Sequence, residues 1–134
     1  MFAKKDNTVL SPALGIGTFC THTVVAAKQA IPVPAECPPA QACLIGCEVM
    51  TGVGAALYTA GVLRGSSVAT YGCGGVGCSV IMGAKLVHAG KIIAVDIAEN
   101  KHEWARQFGA THVVNASTTD PVEAIKGLTD GHGA

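Results

Sequence analysis

Charged side chains are scarce in this sequence. They make up 13% of its 134 residues, against roughly 25% in a typical soluble domain. Positive and negative charges cancel at pH 7, so no basic surface is predicted and nucleic acid is excluded as a partner. Because 49% of the residues are hydrophobic, we expect part of the surface to be covered by other protein, either more of the same polypeptide or another subunit. The alternative is an ordinary domain rich in alanine and glycine.

Long hydrophobic runs are also missing. No uninterrupted apolar stretch approaches the roughly 18 residues typical of a membrane span, so no membrane association is predicted. The opening residues, MFAKKDNTV, carry two lysines with no apolar stretch behind them, which is unlike a signal peptide. The six cysteines include no C-x-x-C pair, which excludes a structural zinc lobe from this stretch. We expect reduced thiols and a cytoplasmic location.

The order of predicted elements indicates an α/β fold. Residues 21–27 (THTVVAA) are β-branched and apolar and predict a strand, and Pro39 suits the first turn of a helix. A short helix is predicted from about Val53 to Ala60. Later helices are predicted to end at Gly90 and Gly109, and Asp120 is predicted to be the N-cap of the last one. From Ser67 onward, strands at 67–71, 91–96 and 111–115 alternate with helices. This alternation predicts the first half of a doubly wound, parallel Rossmann-type sheet, preceded by a strand-rich segment.

A glycine-rich loop follows the strand at 67–71. The pattern G-x-G-x-x-G falls on Gly72, Gly74 and Gly77, between a predicted strand and a predicted helix. Such glycines allow a tight turn, close approach of a pyrophosphate and close helix–strand packing. Asp96 ends the second strand, where its carboxylate can accept hydrogen bonds from ribose hydroxyls. Because no arginine follows Asp96 directly, the pattern favours NAD over NADP.

The loop has two other interpretations. In the first, the glycines only tighten a strand–helix turn and Asp96 caps a helix, with no ligand involved. An S-adenosylmethionine site is a second possibility, although its usual loop is less strict at the third glycine. The matching strand, helix and acid favour the dinucleotide site over both.

Cys47 lies some twenty residues before the loop, within ACLIGCEVMTGVGAA. Taken alone, this thiol is more readily interpreted as a buried core residue than as a metal ligand. Cys43 is four residues earlier and could share its helix face, but two thiols at that spacing are a weak metal signal.

Several segments together resemble one family. CLIGCEVMTGVGAA, GCGGVG, IIAVD and ARQFGATHVVN occur in collinear order and are similar to the zinc-dependent medium-chain alcohol dehydrogenases. LSPALGIGTF near the start and AIKGLTDGHGA near the end look most like the mycothiol-dependent formaldehyde dehydrogenase branch. The resemblance covers nearly the whole chain.

The resemblance implies a role for each matching residue. Cys47 matches the last ligand of the catalytic zinc, and Thr51 a residue that packs against the nicotinamide. Asp96 and Lys101 match residues that hold the adenosine ribose. The pyrophosphate would lie on the glycine loop, at Gly72, Gly74, Gly75, Val76 and Gly77. The other cysteines and the five histidines match no ligand or catalytic position.

The departures from the family are equally informative. The earlier zinc ligands, the structural zinc lobe and the second half of the nucleotide domain have no counterpart here. The resemblance therefore implies an internal fragment, with residues 1–48 from the GroES-like catalytic domain and 49–134 from the NAD-binding domain. Glu48 stands where the family usually has glycine, and its carboxylate would either join the metal or disturb the turn.

The resemblance implies a parent enzyme that uses NAD and zinc. The expected reaction is hydride transfer to NAD from a primary alcohol or a thiol–formaldehyde adduct of the S-(hydroxymethyl)mycothiol type. A general alcohol dehydrogenase remains the alternative within enzymes, and a non-catalytic dinucleotide-binding module the alternative outside them. We expect the full-length parent to be a homo-oligomer and the isolated chain to be inactive.

Overall fold

The computed structural model describes residues 17–134 and, as backbone alone, residues 4–5 and 8–9. The chain divides into two compact units, Met1–Cys37 and Pro38–Ala134. In the first unit, strands β1 (Lys4–Lys5) and β2 (Thr8–Val9) pair antiparallel. A single turn of 3-10 helix follows at Ala27–Gln29. Most of the LSPALGIGTF segment lies outside the described residues.

The strand predicted at residues 21–27 is wrong. Those residues form no strand, and their side chains are exposed. A strand needs a partner for its hydrogen-bond ladder, and within the described part of this unit only β1 and β2 pair. The β-branched composition therefore does not by itself produce a sheet here.

One continuous helix, α1 (Pro39–Thr59), opens the second unit. Pro39 occupies its first turn, as predicted, since a missing N–H costs nothing there. The helix contains π-helical turns at Ile45–Val49 and Ala55–Thr59. The two helices predicted from the sequence are therefore parts of one helix. Gly61 follows with φ of 58°, a left-handed conformation suited to glycine just beyond a helix end.

Helix α1 is long and apolar enough to cross a membrane, judged by length and composition alone. The sequence reasoning did not predict this, because polar residues, including Glu48 near its middle, interrupt the apolar run. Helices that pack in the cores of soluble proteins pass the same test, so it is weak support for a membrane span.

A three-stranded parallel sheet forms the centre of the second unit. The strands are β3 (Ser67–Tyr71), β4 (Lys91–Asp96) and β5 (His112–Asn115), side by side in chain order. The helices are α2 (Gly75–Leu86), α3 (Glu99–Phe108) and α4 (Pro121–Leu128). Tyr71 lies opposite Val95, and Asp96 opposite Asn115, so the carboxyl ends of the strands share one edge. The α/β prediction is confirmed.

Both faces of the sheet are covered. Ile92 and Ala94 of β4 pack in a cluster with buried residues of α2 and α3. Ile93 and Val95 point the other way and pack with Val114 and with Ile125 of α4. This explains the nearly continuous apolar run of β4, since alternate side chains enter different cores.

Local signals set the helix ends. The Asp120 side chain accepts hydrogen bonds from the N–H groups of Val122 and Glu123, as the predicted N-cap should. Gly109 adopts φ of 125° after α3, in agreement with the predicted cap. Helix α2 ends at Leu86, four residues before Gly90, which was expected to end it.

The two-unit division falls between Cys37 and Pro38, whereas the predicted domain boundary at 48/49 falls inside α1. The assignment of these parts to a catalytic and a nucleotide-binding domain stays a prediction. Within the described strands, β3 has a neighbour on one side only, as expected for half of a larger sheet.

Candidate functional site

The glycine loop joins β3 to α2 at the carboxyl edge of the sheet. Gly72 adopts φ of 88°, and its N–H donates to the Val95 carbonyl at 2.8 Å. A Cβ at Gly77 would overlap the carbonyl of Gly72 and lie 3.5 Å from Cγ2 of Thr70. These two glycines therefore allow a turn that a larger residue would open.

The Asp96 carboxylate closes the loop from the next strand. Its Oδ2 accepts from the N–H of Cys73 at 2.7 Å, and its Oδ1 accepts from the N–H of Ala98 at 2.9 Å. These backbone hydrogen bonds, with Cys73 the larger contributor, lower the pKa of Asp96 below its ordinary value. Each carboxylate oxygen retains a further lone pair, so the group can still accept from a diol.

The N-terminus of α2 opens to solvent beside this carboxylate. Gly74 is the N-cap residue in extended conformation, with no side chain to cap the helix. Gly74, Gly75 and Val76 are exposed, and the first turn of α2 contains no acidic residue. Unpaired backbone N–H groups and the positive end of the helix dipole favour a phosphate at such a position.

Lys101 lies on α3 near the loop. Its Nζ is 4.0 Å from the centroid of the Trp104 ring, a cation–π contact that holds the side chain over the helix surface. The neighbouring His102 is buried, and its Nε2 lies 3.0 Å from the Asp96 carbonyl oxygen. His102 is thus a core residue that supports the end of β4.

Three small-residue contacts fix α1 against α2. A Cβ at Gly52 would overlap Cβ of Ser79 and the Val76 carbonyl, so the backbones approach closely there. One turn later on both helices, Cβ of Ala56 would be 3.0 Å from a Cβ at Gly83. One turn earlier, Glu48 meets Gly75. The two helices therefore run side by side with matching steps of four residues.

The structure places Glu48 over the glycine loop. A Cβ at Gly75 would overlap the Glu48 carboxyl group, so the missing side chain at Gly75 leaves the room that this carboxylate fills. A cleft of about 380 Å³ opens beside the pair, lined mostly by apolar side chains that include Met82, Trp104 and Phe108. Among residues 17–134 Glu48 belongs to no group of three possible metal ligands, and α1 continues through its position.

Cys47 and Thr51 are both exposed on α1. The interpretation of Cys47 as a buried core thiol is therefore wrong. Neither side chain is brought into hydrogen-bond contact with the glycine loop or Asp96. The glycines, Asp96 and the N-terminus of α2 do come together, whereas Cys47 and Thr51 make no hydrogen bond to any of them.

The residues present do not hold zinc by themselves. A catalytic zinc needs three protein ligands and an open position. Among residues 17–134, no three His, Cys, Asp or Glu side chains lie close enough together to hold a metal ion. Cys47 therefore remains a single predicted ligand, and no chemical step on this chain is assigned to zinc.

Sequence reasoning missed two features of the site. The Cys73 N–H that binds Asp96 is a backbone group, which no residue pattern identifies. The contact between Glu48 and Gly75 had a signal: Gly52 and Ala56 on one helix, and Gly75, Ser79 and Gly83 on the other, recur every four residues. Small residues at that spacing indicate that the two helices pack closely. The same packing brings Glu48 to Gly75, one turn before Gly52 and Ser79.

Comparisons with known proteins agree with this architecture. A family model for zinc-binding dehydrogenases matches residues 75–134. An S-(hydroxymethyl)glutathione dehydrogenase of Saccharomyces cerevisiae is 48% identical over 123 residues, covering 88% of this chain and 32% of that protein. Residues 75–134 thus match the zinc-binding dehydrogenase family model, and most of this chain is similar to part of a longer S-(hydroxymethyl)glutathione dehydrogenase.

Two further comparisons show the same relationship. Alcohol dehydrogenase-like 7 of Arabidopsis thaliana is 38% identical over 133 residues, covering 97% of this chain and 34% of that protein. The crystal structure of benzyl alcohol dehydrogenase from Acinetobacter calcoaceticus superposes with a TM-score of 0.73 at 45% identity, covering 77% of this chain and 28% of that one. The chain thus spans about a third of the length of the curated relatives it matches.

The comparisons support the dehydrogenase prediction but not its mycothiol branch. The similar curated relatives from Saccharomyces cerevisiae, Aspergillus oryzae and Komagataella pastoris are named for the glutathione adduct, not for mycothiol. The family as a whole typically uses NAD and zinc.

Proposed function

We propose that this chain supplies the adenosine and pyrophosphate half of an NAD site in a dehydrogenase that oxidises primary alcohols or thiol–formaldehyde adducts. One observation carries the proposal: the backbone of the glycine loop donates directly to Asp96, which holds the phosphate-binding turn and the ribose-binding acid in one rigid unit. The match to the zinc-binding dehydrogenase family model supports a dinucleotide over S-adenosylmethionine, and the exposed loop supports a ligand over a purely structural turn.

The charge of Asp96 favours NAD over NADP. Its lowered pKa keeps the carboxylate ionised at neutral pH, so a 2′-phosphate on the ribose would meet a negative charge. The two residues that follow, Ile97 and Ala98, offer no cation to offset that repulsion. Bound NAD supplies a nicotinamide ring that accepts hydride, while this chain's part is to fix the adenosine end.

The substrate remains part of the proposal. Because several relatives are named for S-(hydroxymethyl)glutathione, we propose a thiol–formaldehyde adduct as the substrate class, with a small primary alcohol as the second candidate supported by the benzyl alcohol dehydrogenase. The zinc, the homo-oligomeric parent and the cytoplasmic location are likewise proposals. All six cysteines are free thiols, which agrees with a reducing compartment.

Calorimetric titration of the 134-residue chain with NAD and NADP tests the cofactor site. We expect NAD to bind at least about tenfold more tightly than NADP. We expect Asp96→Asn to lower the affinity for NAD by about tenfold, because the ribose contacts are lost. Glu103→Gln removes an exposed acid on α3 and serves as the matched control. Equal binding of both cofactors, or NAD affinity unchanged in Asp96→Asn, would overturn the proposal, as would the absence of any binding to the folded chain.

A chimaera tests the reaction class. Residues of the Saccharomyces cerevisiae relative that align with this chain would be replaced by this chain's own. We expect NAD-dependent oxidation of S-(hydroxymethyl)glutathione to persist, since the aligned part supplies cofactor contacts. A folded chimaera that binds NAD and transfers no hydride from the adduct or from benzyl alcohol would contradict the proposed reaction.

A further inference from the structure

The Glu48 side chain is held in place by helix packing. Close contacts of Gly52 with Ser79, and of Ala56 with Gly83, align α1 along α2 over two turns. Continuing that alignment by one turn brings position 48 to position 75, where the missing Cβ leaves room for the carboxyl group. Glu48 is half-buried there, so its carboxylate does not simply extend into solvent.

The Glu48 carboxyl group lies beside the first residue of the helix whose N-terminus a ligand phosphate would approach. Gly75 is the first residue of α2, next to the N-cap Gly74, and the first turn of this helix contributes no acid of its own. The positive end of a helix dipole stabilises a single nearby anion, whether it is a side chain or a phosphate. A pyrophosphate brought to the same turn would meet the Glu48 carboxylate at close range.

We propose that Glu48 acts as a tethered anion that competes with the dinucleotide pyrophosphate for the N-terminus of α2, lowering the affinity of this loop for phosphate-bearing ligands. The inference rests on the proposed NAD site. Glu48 would thereby set the cofactor affinity of this chain. To bind NAD, the carboxylate must leave Gly75 or accept the repulsion of a neighbouring phosphate.

The competition predicts a dependence on phosphate charge. Glu48→Gln keeps the size and shape of the side chain and removes its charge. We expect it to tighten binding of NAD and of ADP by about tenfold, the scale of one neighbouring unit charge in a partly solvated site. Adenosine, which lacks phosphate, should bind the variant and the original chain equally. Glu103→Gln, on the exposed face of α3, should change none of the three affinities.

Calorimetric titrations with NAD, ADP and adenosine at low and high salt test the competition between Glu48 and phosphate. The increase in affinity for NAD and ADP in Glu48→Gln should be smaller at high salt, because screening weakens the repulsion that the variant removes. If NAD binds the original chain and Glu48→Gln binds it no more tightly, the competition is overturned while the NAD site stands. An equal gain in affinity for adenosine would also overturn it, since a ligand without phosphate gains nothing from the loss of phosphate repulsion. If neither chain binds NAD or ADP, the NAD site and the inference both fail.

Discussion

The backbone N–H of Cys73 donates a 2.7 Å hydrogen bond to Oδ2 of Asp96, twenty-three residues later in the chain. The bond joins the turn after β3 to the end of β4, so the loop and the acid form one unit. It also makes Asp96 a stabilising residue before any ligand binds. Charge-assisted hydrogen bonds of this kind are stronger than neutral ones.

The first prediction concerns the stability of Asp96→Asn at different pH values. Because the folded pKa of Asp96 is lowered, the unfolded chain takes up its proton first as the pH falls. The stability from Asp96 is therefore fully present above the unfolded pKa of about 3.9, and is lost as pH falls through the lower folded value. Urea unfolding from pH 7 to pH 2 should show a difference in the free energy of unfolding between the original chain and Asp96→Asn. This difference should disappear at the acidic end. A constant gap across this range would contradict the role of the charge.

The second prediction compares two glycines of the same loop. A methyl group at Gly77 would overlap the Gly72 carbonyl, whereas one at Gly74 would have no neighbouring atom within 4 Å. We expect Gly77→Ala to lower the free energy of unfolding by about 1–3 kcal/mol, since the turn must open. Gly74→Ala should change it by less than about 1 kcal/mol. Chemical denaturation without ligand measures both, and equal effects would show that the turn tolerates a side chain.

The third prediction concerns the thiols. Burial, followed by the charge of Asp96, raises the pKa of Cys73 to about 11, and burial also raises the pKa of Cys78. Since the thiolate is the reactive form, both should react with iodoacetamide at least about a hundredfold more slowly than the exposed Cys47 at pH 7.5. Mass spectrometry of timed samples measures the rates. In guanidinium chloride the three should react alike, and rapid native labelling of Cys73 would contradict the packed loop.

Much of the second unit could be predicted from local signals. Pro39, Asp120 and Gly109 mark helix ends by chemistry that acts within one turn, so their roles follow from the sequence. The apolar run of β4 indicated a strand buried on both faces. The strand expected at 21–27 failed because pairing depends on a partner that local composition does not reveal.

The sequence by itself determined the alternation of strands and helices, the parallel sheet and the position of the glycine loop before α2, because these depend on short-range periodicity and on glycine's conformational freedom. Only the tertiary structure decided that the Cys73 N–H holds Asp96 and that Glu48 lies on Gly75. The first depends on the parallel register of β3 and β4, and the second on how closely two helices approach. Both are distances between remote segments, which depend on how the whole unit packs.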